Sequence, residues 1–154
     1  VARSAFAARL KPGPLSVERE TAALVEAAAD AGAIVTFVGI ARPLSKSGEQ
    51  VDRVVLEAHP SLTRQSLDEI AAAAAARFAV SAVRIVHRTG TIPAGEPIVF
   101  AGAAALHRRE AFEAVDYLMD RLKTEAVFWK REEGPGGGRW IEPTGADYAA
   151  KEQW

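Results

Sequence analysis

Lys123, Lys130, the run His107-Arg108-Arg109 and Arg42 are the residues of this sequence whose types and surroundings could do chemistry. Lys123 and Lys130 stand seven positions apart. On one continuous helix that spacing would put them on one face, two turns apart. Phe128 and Trp129, directly before Lys130, break the helical pattern, so the two lysines are expected on different elements. A lysine flanked by aromatic and apolar neighbours is partly desolvated, which lowers its pKa and lets it act as acid, base or amine nucleophile. The plainer account of Lys123 is a surface lysine complementing a helix dipole. Lys130, beside Trp129, has the stronger claim.

Leu106-His107-Arg108-Arg109-Glu110 marks the place where an apolar strand ends and an amphipathic helix begins. Free backbone N–H groups and the positive end of the helix dipole meet there, and added cations make it a site for an anion such as phosphate. The alternative is that the arginines are solvated charges and His107 a cap. Arg42 follows a buried-looking strand and opens a loop, a position from which a side chain can close over a ligand. Phe37 reads as core on its own evidence. His59 and His87 belong to no metal-ligand spacing, and no metal or cofactor is expected. The run Gly134 to Gly138 lacks the Lys-Ser/Thr of a phosphate loop and reads as a hairpin turn.

Composition narrows the chemistry further. Nineteen Lys and Arg against 20 Asp and Glu give a net charge of -1, so there is no global field to hold a nucleic acid and any anion site must be local. The chain has no cysteine, which removes thiol nucleophiles, persulfide carriers and thiolate metal ligation; sulfur chemistry would need sulfur from elsewhere. No apolar run is long enough to span a membrane, and the opening VARSAFAARLKPGP lacks the apolar core of a secretory signal. A cytoplasmic protein is the expectation.

The elements that must position these residues are legible by period. SVERETAALVEAAADAG offers Ser16 as N-cap and Gly32 as a stop for a first helix. AIVTFVGI, residues 33–40, reads as a strand buried on both faces, ARPLSKSGEQ as an exposed, mobile loop, and VDRVVLEA as a strand. Leu62, Leu67, Ile70, Ala71, Ala74 and Phe78 define a second helix. AVSAVRIVHRTG and IVFAGAAAL form a hairpin-like pair, and Ala111, Phe112, Val115, Leu118, Met119 and Leu122 mark one face of a third helix. FWKREE and RWIEP flank the glycine turn. With 154 residues and no strand-helix-strand crossover of dinucleotide-fold length, the prediction is a single α+β domain over 1–154. It has a mixed or antiparallel sheet, three main helices and a C-terminal β-hairpin, with 1–15 and 144–154 open to being flexible.

GAIVTFVGIAR, LEAHPSLT, VHRTGTIPAGEPIVF, LHRREAFEAVDYLMDRLKTEAVFWKRE and RW, in this order from about Gly32 to Trp140, resemble the molybdopterin synthase large-subunit family. The resemblance implies an α/β-hammerhead-like fold and a homodimer carrying a small ubiquitin-like subunit at each end, a heterotetramer. The small subunit's C-terminal Gly-Gly thiocarboxylate would thread into a pocket of this chain and deliver sulfur to cyclic pyranopterin monophosphate. The product is the molybdopterin dithiolene of molybdenum cofactor biosynthesis, formed with opening of the cyclic phosphate. Carried over position by position, the resemblance makes Lys123 of the LKT motif and Lys130 of the FWK motif catalytic, with Lys123 first for acid-base work. It gives Arg42, His107, Arg108 and Phe37 to the phosphate and pterin.

Departures from the family pattern fall at Val127, where proline is common, at Ala58-His59, at Ser61 and at Pro43. None is a residue assigned to chemistry, although Pro43 bears on the loop that starts at Arg42. Two other readings stand beside the synthase. One is a non-catalytic scaffold that docks a ubiquitin-like sulfur carrier; the other is an unrelated protein for a phosphate-bearing metabolite, which needs no such partner.

Overall fold

Ser16 starts the first helix as its sequence suggests, its Oγ accepting a hydrogen bond from the Arg19 amide. In the computed structural model, which describes residues 5–28 and 30–154, this helix is α1, Val17–Ala27. Residues 1–4 of the weakly patterned start, and Ala29 in the first helical stretch, lie outside the described residues. The remaining elements in chain order are β1 (Phe6–Lys11, before α1), β2 (Ala33–Ile40), β3 (Arg53–Ala58), α2 (Leu62–Arg77), β4 (Val80–Arg88), β5 (Gly90–Pro93), β6 (Pro97–Ala105), α3 (Arg108–Glu125), β7 (Phe128–Gly134), β8 (Gly137–Ile141) and α4 (Gly145–Glu152).

Two four-stranded sheets result, one in the order β1-β4-β6-β2 and the other β5-β3-β7-β8. The first is mixed, because β1 lies parallel to β4. The second is antiparallel throughout. The chain changes sheets at Gly90, whose φ of 86° no side-chain-bearing residue adopts easily. β6 explains how helices approach the first sheet so closely: its Ala101, Ala103, Ala104 and Ala105 are fully buried, and their small side chains leave room. Leu24 of α1 packs on Ala82 and Ala104 from one face. From the other side Leu67, Ile70 and Ala74 of α2 and Leu118 and Leu122 of α3 join Val83 and Ile85 of β4 with Val54, Leu56 and Ile92 of the second sheet. One core therefore serves both sheets, as expected of a single α+β domain.

Three sequence expectations are revised. β2 is the edge of its sheet rather than a strand buried on both faces, and it leaves Phe37 and Ile40 exposed. Gly32 is not the stop of α1, which ends at Ala27 with Ala28 as its C-cap; a Cβ on Gly32 would overlap the Leu106 carbonyl, so it is a close-approach glycine. Phe112 is 61% exposed, because the buried stripe of α3 runs through Ala111, Ala114, Val115, Tyr117, Leu118 and Leu122 instead. The three main helices stand as expected, and the C-terminal stretch ADYAAKEQW, open in the sequence to being a short helix or a docking tail, forms a short helix, α4, begun by a Thr144–Asp147 capping box.

The β7–β8 hairpin is held against residues 50–51 by another close approach: a Cβ on Gly134 would overlap the Gln50 carbonyl oxygen. Gly134→Ala is expected to cost about 1–3 kcal/mol as the two backbones are forced apart. Its urea midpoint should fall accordingly; an unchanged midpoint would show that this contact yields freely.

Candidate active site

Strand alternation explains which side chains meet. Phe128, Lys130 and Glu132 share one face of β7, and the ladder sets Leu56 of β3 and Ile141 of β8 beside Lys130, and Val54 and Arg139 beside Glu132. That face forms one wall of a cavity of about 410 Å³. The last turns of α3 add Met119, Leu122 and Lys123, the end of β2 adds Phe37 and Gly39, and the 41–47 segment adds Arg42, Ser45, Lys46 and Ser47. Pro143 and Asp147 close another side. Four of the six residues singled out from the sequence, Phe37, Arg42, Lys123 and Lys130, thus line one cavity, although the lysines come from a helix and a strand. The lining holds five cations, Arg42, Lys46, Lys123, Lys130 and Arg139, against three carboxylates, Glu132, Glu142 and Asp147. A chain of net charge -1 has concentrated positive charge where an anion could bind.

The cavity walls are fixed by specific bonds. α2 grips the residue just before β7 from both sides: Thr63 Oγ1 donates to the Val127 carbonyl, and the Val127 amide donates to Ser66 Oγ at 3.2 Å. Valine, unlike a proline, supplies the N–H that the second bond needs. The 41–50 segment is folded into a tight turn. The Ser45 amide donates to the Glu49 carbonyl at 2.8 Å, Val51 donates to the Pro43 carbonyl at 2.8 Å, and Arg139 reaches Glu49 at 3.1 Å. Ser45 is buried.

Burial pushes the Lys130 ammonium below the usual lysine range, and the charge of Lys123 adds to the effect; Lys46 and Arg42 act the same way, while Glu132 opposes them. Asp147 is held below the ordinary carboxylate range chiefly by the Thr144 amide that donates to it at 2.8 Å. His87, at the end of β4, also lines the cavity. Burial lowers its pKa to about 4, with Lys130 and Lys123 contributing, so the ring is neutral near pH 7.

The lowered His87 pKa has a sign for stability. The unfolded chain takes up this proton near pH 6.5 and the folded chain only near 4, so the unfolded state binds more protons between those values. Stability is full above about pH 6.5 and falls as pH drops toward 4, by on the order of 3 kcal/mol for this group. His87→Phe should lack that share of acid sensitivity, measured as the difference between urea unfolding free energies at about pH 7 and pH 4. An identical pH dependence in the variant would contradict the assignment.

His107 and Arg108 sit elsewhere. His107 is the N-cap of α3 with no side-chain capping bond, and it lines a second, open cavity with Arg108, Arg109, Leu106 and Phe112. Arg108 and Lys123 lie fifteen residues apart on this one helix, which separates them by about 22 Å at 1.5 Å per residue. The structure does not bring the two groups together within one chain. Sequence reasoning also passed over His87, Lys46, Glu132, Arg139 and Asp147. Once the glycine turn is read as a hairpin, alternation from Lys130 would have found Glu132, and pairing across the turn would have found Arg139 and Ile141.

Relatives with this sequence pattern and fold are known. The MoaE protein family matches residues 10–125. A molybdopterin synthase catalytic subunit from Caulobacter vibrioides is 51% identical over 125 residues, covering 81% of each chain. One from Escherichia coli strain K12 is 42% identical over 143 residues, covering 93% of this chain and 94% of that one. Among solved structures, the molybdopterin biosynthesis MoaE protein of Burkholderia ambifaria MC40-6 superposes with a TM-score of 0.80 at 37% identity, over 96% of both chains. A chain in the complex of subunits 1 and 2 of molybdopterin-converting factor from Helicobacter pylori, at 18% identity and a TM-score of 0.73, shares the fold. The chain belongs to the MoaE family.

Proposed function

We propose that this chain is the catalytic subunit of a molybdopterin synthase, a sulfurtransferase of molybdenum cofactor biosynthesis. The observation that carries this reading is the convergence of Lys123 and Lys130 on one cation-rich cavity in a chain without cysteine. Such a cavity can bind and activate sulfur brought by another protein but cannot supply the sulfur itself. The relatives are named as catalytic subunits, so a second subunit belongs to the assembly. The partner is a small ubiquitin-like sulfur carrier whose C-terminal Gly-Gly thiocarboxylate enters the cavity. Cyclic pyranopterin monophosphate is the acceptor.

The chemistry follows from the lining. A thiocarboxylate is an anion, and the ammonium groups of Lys123 and Lys130 neutralise it in a partly desolvated site where charge-charge attraction is strong. Lys130, with its lowered pKa, exchanges a proton near neutral pH more readily than an ordinary lysine and suits proton transfer while sulfur attacks the pterin side chain. Arg42 and Phe37, at the mouth opened by β2, hold substrate phosphate and ring.

The phosphate-binding role of His107 and Arg108 requires a second copy of the chain, since they lie about 22 Å from Lys123 on their own helix. Leu106 and Phe112, 66% and 61% exposed beside them, supply the apolar contact that a homodimer would cover. The assembly is then a homodimer with a small subunit at each end. No helix among the described residues is long and apolar enough to cross a membrane, and the proposed place of action is the cytoplasm.

The test is dithiolene formation from cyclic pyranopterin monophosphate, followed by mass spectrometry, with the small subunit supplied once as thiocarboxylate and once as plain carboxylate. Product is expected with the first only. Stable binding of the thiocarboxylated partner without any product would favour the scaffold reading instead.

A further inference from the structure

His87 lies in the cavity, and although it falls in the VHRTG stretch, no role was assigned to it from the sequence. Its Nδ1 is 3.0 Å from the carbonyl oxygen of Arg88. A carbonyl only accepts, so Nδ1 carries the ring proton, and in the neutral ring Nε2 carries none. The ring packs on Phe128, with centroids 4.2 Å apart and planes tilted by 35°. Phe128 and Lys130 project from the same face of β7. The end of one sheet therefore meets the start of a strand of the other through this ring pair, two residues from Lys130.

We propose that His87 is a positioning residue for Lys130: its uncharged ring, held by the Arg88 carbonyl and stacked on Phe128, fixes the strand that carries the lysine and keeps water from one side of it. The inference rests on the reading of Lys130 as the proton-exchanging group of sulfur transfer. Among the described residues, the charged groups that line the cavity with that lysine come from several elements. Lys123 faces it from α3, Arg42 and Lys46 from the 41–47 segment, Glu132 from its own strand, Arg139 and Glu142 from β8 and the residue after it, and Asp147 from α4. His87 is the titratable side chain that β4 contributes to the cavity, and burial disfavours a charge on its ring. A charged or hydrated group in its place would change the field at Lys130 without touching the lysine itself.

Three variants test this on the full-length chain. His87→Gln and His87→Asn keep an amide that can donate to the Arg88 carbonyl but admit water; His87→Phe keeps a dry ring. Acetylation of Lys130 by acetic anhydride is followed by mass spectrometry from neutral to alkaline pH, with Lys11, partly exposed on β1 and outside the cavity, as internal control. The expected result is a Lys130 labelling midpoint raised by about one pH unit in the glutamine and asparagine variants and unchanged in the phenylalanine variant. In the complete enzyme the two amide variants should lose about tenfold in kcat near neutral pH with little change in KM. A labelling midpoint at the wild-type value in both amide variants would overturn the proposal, and so would an equal shift in all three. Failure of both amide variants to fold beside a folded phenylalanine variant would overturn it too, since the ring would then serve the fold. Labelling needs neither partner nor substrate, so an inactive wild type would count against the proposed function and leave this test standing.

Discussion

Lys123→Ala is expected to lower kcat for dithiolene formation by roughly a thousandfold, within the range that a positioned acid-base or charge-stabilising group contributes. The side chain is exposed at the end of α3, in the last turn, so its removal should leave stability within about 0.5 kcal/mol of the parent. The small loss comes from the helix dipole, which a C-terminal cation complements. Lys123→Arg separates charge from proton transfer. An arginine keeps the positive charge facing the thiocarboxylate but does not give up its proton in a protein. Rescue by arginine would assign Lys123 to charge neutralisation and leave Lys130 as the proton carrier; no rescue would give Lys123 the proton. Near-parental turnover in the alanine variant, measured with saturating partner and substrate, would remove Lys123 from the mechanism.

Mixing two impaired variants should restore activity at substrate concentrations well below the KM of the Arg108 variant. If the cavity of one chain is completed by His107 and Arg108 of the other, then Lys123→Ala and Arg108→Ala damage opposite halves of each composite site. In a mixed dimer of the two, one site carries both lesions and the other carries neither. Random reassortment of equal amounts makes half the dimers mixed, so about a quarter of all sites, and about a quarter of wild-type activity, should return. Sites confined to a single chain would show no recovery beyond the sum of the two variants. Arg108→Ala alone should act mainly on KM, as loss of a phosphate contact made equally in ground and transition states would. The geometry behind the experiment is a helix whose two ends, Arg108 and Lys123, are about 22 Å apart.

That separation was available in the sequence, since residues 108–123 read as one helix by their apolar period, and fifteen residues fix the distance. Other features were equally legible. Leu67, Ile70 and Ala74 are buried as the spacing of α2 requires, and the apolar run at 98–105 is the most buried strand of the fold. The glycine run made the β7–β8 turn. The split into two sheets was not legible, because it is set by which distant strands pair, and the positive-φ glycine at 90, where β4 hands over to β5, reads locally as any turn. β1 escaped notice since a short parallel edge strand carries little alternation. Phe112 and the exposed side of β2 mislead for one reason: apolar side chains that one chain leaves uncovered have the same period as those it buries. His87 was silent because its role depends on a partner, Phe128, from a strand of the other sheet.

The claim at the centre of this account is that sulfur passes from the partner's tail to the pterin in the cavity shared by Lys123 and Lys130. Heavy-isotope sulfur placed in the small subunit's thiocarboxylate tests it most directly, with wild type and Lys123→Ala run side by side and the pterin product weighed. The account predicts that both dithiolene sulfurs are heavy with the wild type, and that the variant binds the labelled partner yet forms no labelled product. Heavy product formed at the same rate by the variant, or product carrying light sulfur, would contradict it.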